Sequence, residues 1–303
     1  MKAISFRVAV RISKWIGSWF LSILSRFIAA GYYSFLPGRV RESARFYRAL
    51  FPERSRFHAY ACVWHQYQRF TRVFLDRMLM LDFDRISVTI DGWEALQQTL
   101  LQKKGAILLM SHMGNWDVAA HLLKKKHPGL RLLLYMGIKN REQIEKIQKE
   151  SLAEQGIKII AVNQNSSSPF HLIEAHTFLS TGGLVSLTGD RIWHESQRAV
   201  KVDFLGHEVC LPESPHLLAL ISERPIFALF PIKTGKLQYH IRISPPITVK
   251  AENRGDRKNA VKRSAQTYAD LLSDAARRDP FEWFHFEPFL GKPLQPNNGL
   301  IER

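Results

Sequence analysis

Cysteine is nearly absent from this 303-residue chain, which has only Cys62 and Cys210. Two thiols so far apart make neither a disulfide framework nor the paired spacing of a zinc site. Both stand among apolar neighbours and read as packed thiols in a reducing, cytosol-facing compartment. Acids are scarce too: 27 Asp and Glu face 43 Lys and Arg, a formal charge of +16. No arginine-rich tail gathers that charge. It is spread over Arg7, Arg11 and Lys14, then Arg39, Arg41 and Arg45, then Lys124 to Lys126, then Arg254 to Arg263. Such a balance favours a polyanionic partner: an anionic membrane surface, a phosphorylated substrate, an acidic carrier protein or nucleic acid. The absence of any nucleic-acid recognition motif argues against the last of these. There is no repeat and no low-complexity linker, and 46% hydrophobic content is enough for a substantial core.

An unbroken apolar run is missing as well. The stretch "WIGSWFLSILSRFIAAGYYSFL" (15–36) approaches the length of a membrane span, but Arg26 interrupts it. No small-residue cleavage site follows a compact apolar core, so a cleavable signal peptide is not expected. Arg7, Arg11, Lys14, Ser18, Ser22 and Ser25 instead step by three or four. They form one polar seam on a helix whose other faces carry Val8, Ile12, Trp15, Ile16, Trp19, Phe20, Ile23 and Phe27. A basic amphipathic helix with tryptophans fits the membrane interface. A tilted span and a helix packed on the protein's own core fit the same pattern less well. Residues 1–37 are therefore expected to associate with a membrane and residues 38–303 to form the working domain.

Helical spacing of apolar and aromatic residues dominates 41–82, where Tyr60, Trp64, Tyr67 and Phe70 read as core. Beyond it, short apolar runs alternate with helical stretches. The strands are "RISVTI", "GAILLM", "LRLLLYM", "IKIIAV", "LVSLTGD", "IFALFPI" and "YHIRISPPI", with a hairpin turning at Gly206 and a helix opened by Asp91. The alternation predicts an α/β fold around a mixed, mostly parallel sheet flanked by helices, with antiparallel pairing after residue 200.

Chemistry concentrates where two of these strands end. "GAILLM" runs straight into "SHMGNWD" (111–117), and in open α/β sheets the carboxyl edge of the strands is where ligands bind. Gly114 permits a sharp turn and Asn115 caps the next helix. Residues five apart on a regular helix point to different faces, but His112 in the loop and Asp117 in the first helical turn can meet. Asp117 would then hold one ring nitrogen and leave the other to act as a base. Taken alone, the same spacing also describes a loop histidine beside a capping acid. A second strand ends in "TGDR" (188–191), which sets Asp190 and Arg191 at the same edge.

The ordered set "SHMGNWD", "GDR" after an apolar strand, "FLG" followed by "LPESPHLLAL", and the aromatic "PFEWFHF" resembles the bacterial lipid A biosynthesis acyltransferase (lauroyl/myristoyl acyltransferase) family of the lysophospholipid acyltransferase superfamily, as a divergent member. The resemblance implies a glycerolphosphate acyltransferase-like fold. It implies transfer of a fatty acyl chain from a thioester, usually on acyl carrier protein, to a hydroxyl or amine of a membrane lipid precursor. No metal, cofactor or covalent acyl-enzyme is implied; the thioester is a co-substrate. His112 would deprotonate the acceptor with Asp117 orienting it. Arg191, oriented by Asp190, would stabilise an oxyanion or bind a phosphate or carboxylate. Ser111, Gly114, Asn115 and Gly189 at the rim, with Lys149 in the helix after the third strand, would contact substrate. The family's usual glutamate at the acid position is Asp117 here, and its usual arginine after the third strand is replaced by Lys146 and Lys149. The cytoplasmic face of the inner membrane is the implied location. A thioesterase, and a metal-dependent hydrolase using His112, Asp117 and Asp190, are the rival readings of the same residues.

Overall fold

The computed structural model describes residues 18–79, 86–138, 157–163, 170–192, 197–235 and 237–294. Its strands are β1 (Ser87–Asp91), β2 (Ala106–Met110), β3 (Leu132–Ile138), β4 (Lys158–Asn163), β5 (Leu184–Thr188), β6 (Ala199–Phe204), β7 (His207–Pro212), β8 (Ile226–Gly235) and β9 (Gln238–Ile243). Seven of them form one sheet in the order β1-β9-β8-β2-β5-β3-β4, while β6 and β7 make a separate hairpin. Within the large sheet only β8 and β9 pair antiparallel. The helices are α1 (Ser18–Phe35), α2 (Pro37–Leu50), α3 (Arg56–Leu79), α4 (Trp93–Leu101), α5 (Trp116–Lys126), α6 (Phe170–Ser180), α7 (Ser214–Ser222) and α8 (Arg257–Arg278). This is the mixed, mostly parallel α/β architecture expected from the sequence.

Strand β2 shows why the apolar runs fold this way. "AILLM" carries no polar side chain, as a parallel strand covered on both faces requires. Successive side chains point to opposite faces, so the strand feeds two cores. Ile107 and Leu109 join Phe46, Tyr47, Tyr67, Tyr268 and Trp283 on one side. Ala106 and Leu108 join Trp93 and Leu96 of α4 and Val118 and Leu122 of α5 on the other. All four β2 residues are essentially inaccessible.

Three local expectations need correction. Asp91 does not open α4. It closes β1 and accepts a bond from His240 Nε2 at 2.7 Å, while Gly92 takes the N-cap at φ +76. A side chain at Gly92 would collide with the Ile243 carbonyl oxygen. Cys62 is buried, but Cys210 is exposed, because alternation along β7 turns Val209 and Leu211 inward and Cys210 out. Tyr67 is core, but Tyr60 and Trp64 stand 39% and 36% exposed.

Helix α1 also departs from an ordinary amphipathic helix. Ser25 and Ala29 are buried, whereas Phe27 and Phe35 are 72% and 83% exposed and Ile23 and Ile28 are open to solvent. Its inward face is small and polar, and its outward face is greasy. Arg7, Arg11, Lys14 and the tryptophans of the expected polar seam and apolar face lie outside the described residues or their side chains do. No helix among the described residues is long and apolar enough to cross a membrane.

Candidate active site

Strands β2 and β5 lie side by side in parallel, with Met110 opposite Thr188. Two residues further along each chain stand His112 and Asp190, so the register itself brings them together. Asp190 is fully buried and His112 is about one quarter exposed, with His112 Nδ1 2.8 Å from Asp190 Oδ1. A carboxylate only accepts, so Nδ1 carries the proton and donates it. The backbone N–H of His112 donates to Asp190 Oδ2 at 2.7 Å, and Trp283 Nε1–H donates to the same oxygen at 2.8 Å.

Burial on its own would push the Asp190 carboxyl up. The His112 charge and hydrogen bonds, helped by His285 and Trp283, overcome that and hold it well below the usual carboxylate range. Asp190 is therefore a buried anion at neutral pH, locked by three donors. The acid on Nδ1 comes from across the sheet. Asp117 stands in the first turn of α5, but its side chain lies outside the described residues, as does Lys149.

The loop between β2 and α5 is fixed from two directions. Gly114 has φ +66, and a Cβ there would lie 1.7 Å from the Pro231 carbonyl oxygen, so only glycine lets the loop press against β8. Asn115 is buried; its N–H donates to Pro231 O at 3.0 Å, and its Oδ1 accepts from Val118 N as the α5 cap. From the other side comes the segment 281–290. Gly114 N–H donates to Glu282 O and Phe284 N–H to His112 O, each at 2.7 Å. Gln66 of α3 holds the Trp283 carbonyl at 2.5 Å. Ser111 is buried, and Gly189 packs against Tyr268 and Leu109 so closely that a Cβ would fall 2.6–2.7 Å from their side chains. Ser111, Gly114, Asn115 and Gly189 thus form the frame on which His112 and Asp190 are mounted.

Arg191 turns away from Asp190. Its Nε lies 3.7 Å from Glu287 Oε2, while the Asp190 carboxylate points inward to His112 and Trp283. Asp190 spends its oxygens on His112 and Trp283 and is not the group that orients Arg191. His285 stands beside the pair, its ring centroid 6.0 Å from that of His112. Its Nδ1–H donates to Glu287 O at 3.2 Å. Burial, with the Arg191 and His112 charges, pushes its pKa down to about 4, so it is neutral at neutral pH.

Sequence reasoning missed Trp283, His285 and Gln66. The one signal available was the aromatic density of "FEWFHF", which has neither helical nor strand periodicity. Trp283→Phe keeps an aromatic ring but deletes the donor to Asp190 and part of the buried indole. A hydrogen bond to a charged group is worth about 1.5–3 kcal/mol, so activity is expected to fall about tenfold with a lower melting temperature. An unchanged rate in a folded Trp283→Phe protein would reduce Trp283 to packing alone.

A family model described as "Bacterial lipid A biosynthesis acyltransferase" matches residues 6–290. Over 152 residues the chain is 26% identical to phosphatidylinositol mannoside acyltransferase of Mycobacterium tuberculosis strain H37Rv, covering 48% of this chain and 43% of that protein. The protein of the same name from strain CDC 1551 matches over the same shares. The chain thus spans less than half the length of these mycobacterial relatives. A stretch of 157 residues, 52% of this chain, is 28% identical to NADH-ubiquinone oxidoreductase chain 2 of Crocidura suaveolens gueldenstaedtii, of which it covers 42%. The family match runs through nearly the whole chain and decides between them.

Proposed function

Since the chain belongs to the bacterial lipid A biosynthesis acyltransferase family, we propose that it moves a fatty acyl group from an acyl carrier protein thioester to a hydroxyl or amine of a membrane lipid precursor, with His112 as general base and Asp190 as its partner. The observation that carries this reading is the bond from His112 Nδ1–H to a buried carboxylate at the rim of the sheet. With Nδ1 committed to Asp190, the basic nitrogen is Nε2. It takes the proton as the acceptor oxygen or nitrogen attacks the thioester carbonyl. The imidazolium so formed is stabilised by Asp190, which stays ionised. Collapse of the tetrahedral intermediate expels the thiolate, which recovers the proton from His112. No covalent acyl-enzyme is needed. Arg191 is the proposed cation for the oxyanion or for an acceptor phosphate.

The donor and the location rest on complementarity. A chain of charge +16 attracts an acidic carrier protein, and the outward apolar face of α1 suits an interfacial position at the inner membrane. The aromatic cluster of half-buried Phe70 with buried Phe284 and Phe286, beside the His112 loop, is the proposed wall of the acyl-chain site.

The test uses the full chain, an acyl carrier protein carrying a labelled acyl group, and vesicles of extracted bacterial lipid. Label is expected in a lipid product, at a rate unchanged by a chelator. Release of free fatty acid alone would make the protein a thioesterase, and abolition of transfer by the chelator would favour the metal-dependent reading. Equal rates with acyl coenzyme A would overturn the carrier-protein assignment.

A further inference from the structure

Arginine is concentrated where α2 faces α3. Arg41, Arg45 and Arg48 recur four and three residues apart and so share one face of α2. With Arg56 and Tyr60 of α3 they line a cleft of about 650 Å³. Gly38, one turn before Arg41, also lines it, and a Cβ there would meet nothing within 4 Å. Arg45 is engaged: it donates to Glu42 and to the Leu290 carbonyl, each at 3.0 Å. Arg41 and Arg48 are exposed, and neither has an ion pair or side-chain hydrogen bond among the described residues. Among the described residues Arg56 makes only a ring contact, 5.2 Å above Phe57. Four guanidinium groups thus surround a single acid, Glu42. Guanidinium forks in that arrangement suit an oxyanion with several acceptor oxygens, above all a phosphate.

The surface beside the cleft is apolar. Phe57, next to Arg56, is 73% exposed. Tyr33 joins α1 to α3 at this point, donating to the Tyr60 carbonyl at 3.4 Å and lying edge-on to Trp64 at 5.7 Å. On α1 itself, Phe27 and Phe35 are 72% and 83% exposed. Charge next to exposed aromatic rings matches a lipid surface, where phosphates lie at headgroup level and rings settle just below them. A soluble anion would explain the arginines but leave the rings without a purpose.

We propose that the arginine cleft between α2 and α3 binds the phosphate of an anionic membrane lipid, with the exposed rings of α1 and α3 seated in the adjoining bilayer surface. The inference rests on the lipid-facing location in the functional reading and on none of its acyl chemistry, so binding alone tests it. It also gives the bound phosphate a fixed relation to the active site. The opposite face of α2 packs Phe46 against Trp283, with centroids 4.8 Å apart. Tyr47 of that face donates to the Pro280 carbonyl at 2.9 Å. A lipid phosphate on one side of α2 is thereby a reference point for the clamp on the other.

The experiment is co-sedimentation of the full-length chain with vesicles of phosphatidylcholine alone or with added phosphatidic acid. The variants are Arg41→Ala/Arg48→Ala, Arg41→Lys/Arg48→Lys, and Lys258→Ala/Lys262→Ala as an equal loss of charge on exposed α8. Each basic residue near an anionic surface contributes about fivefold, so the arginine-to-alanine pair should weaken binding to anionic vesicles about 30-fold. The α8 pair should cost less than about twofold, and binding to neutral vesicles should not change. The lysine pair keeps the charge but loses the fork, and is expected to lose several-fold. Equal losses in the alanine and α8 pairs, or a lysine pair indistinguishable from wild type, would leave only diffuse attraction and overturn the site. Arginine-dependent binding of inorganic phosphate with unaltered vesicle binding would reassign the cleft to a free anion. Loss of acyl carrier protein binding with vesicle binding intact would reassign it to the donor; each result sinks the lipid assignment.

Discussion

His112→Ala is expected to lower acyl transfer about a hundred- to ten-thousandfold, the range that a positioned general base contributes. The alanine variant also strands Asp190, a buried anion, with only the His112 N–H and Trp283 as donors. Removing one partner of a buried pair costs about 3–5 kcal/mol, and some of the lost activity would then be lost protein. His112→Asn separates the two effects. Its side-chain amide reaches toward the position of Nδ1–H and keeps a donor on Asp190, but it has no basic nitrogen. The asparagine variant is expected to melt close to wild type while remaining as inactive as alanine. Substantial transfer by a folded His112→Asn protein would end the assignment of His112 as base.

Asp190→Asn carries the second large effect, about ten-thousandfold. Three donors converge on the carboxylate: Nδ1–H and N–H of His112 and Nε1–H of Trp283. An amide offers one acceptor oxygen and a donor group in its place. If the oxygen faces Trp283 and the His112 N–H, the NH₂ faces Nδ1, which must then accept. The proton is forced onto Nε2, and the base is lost through the wrong tautomer. If the amide is turned the other way, two donors meet a donor. Asp117→Asn made alongside separates the two acids, since a larger loss there than at Asp190 would return the imidazole to Asp117.

The same substitution has a signature in stability. Because the folded-state pKa of Asp190 is depressed, its contribution is fully present above the unfolded value of about 3.9 and is lost as pH falls through the folded value. The melting-temperature gap between wild type and Asp190→Asn should be widest near neutrality and narrow on acidification below about pH 4. A gap that widens there would mean the carboxyl is protonated in the native state.

The parts of this molecule that depend on local pattern could be read from its sequence. Apolar runs such as "GAILLM" and "LVSLT" mark buried parallel strands, and their ends place His112 and Asp190 on one edge. What the pattern does not carry is how neighbouring strands are offset. The pairing of Met110 with Thr188 is a long-range fact, and it decides that the acid beside His112 comes from β5. Spacing within the chain pointed to Asp117 because proximity along the sequence is the only proximity a sequence displays. Tyr60 and Trp64 failed for a related reason. Helical spacing finds a greasy face on α3 without telling whether protein or another apolar phase covers it.

The reactive arrangement is assembled from residues separated by 78 and 93 positions, and its final donor arrives with segment 281–290. A ribosome-bound chain that has made both strands but not this segment has the imidazole and the carboxylate without the indole that locks them. The arrangement is therefore completed late in synthesis, after every described strand of the sheet has been made.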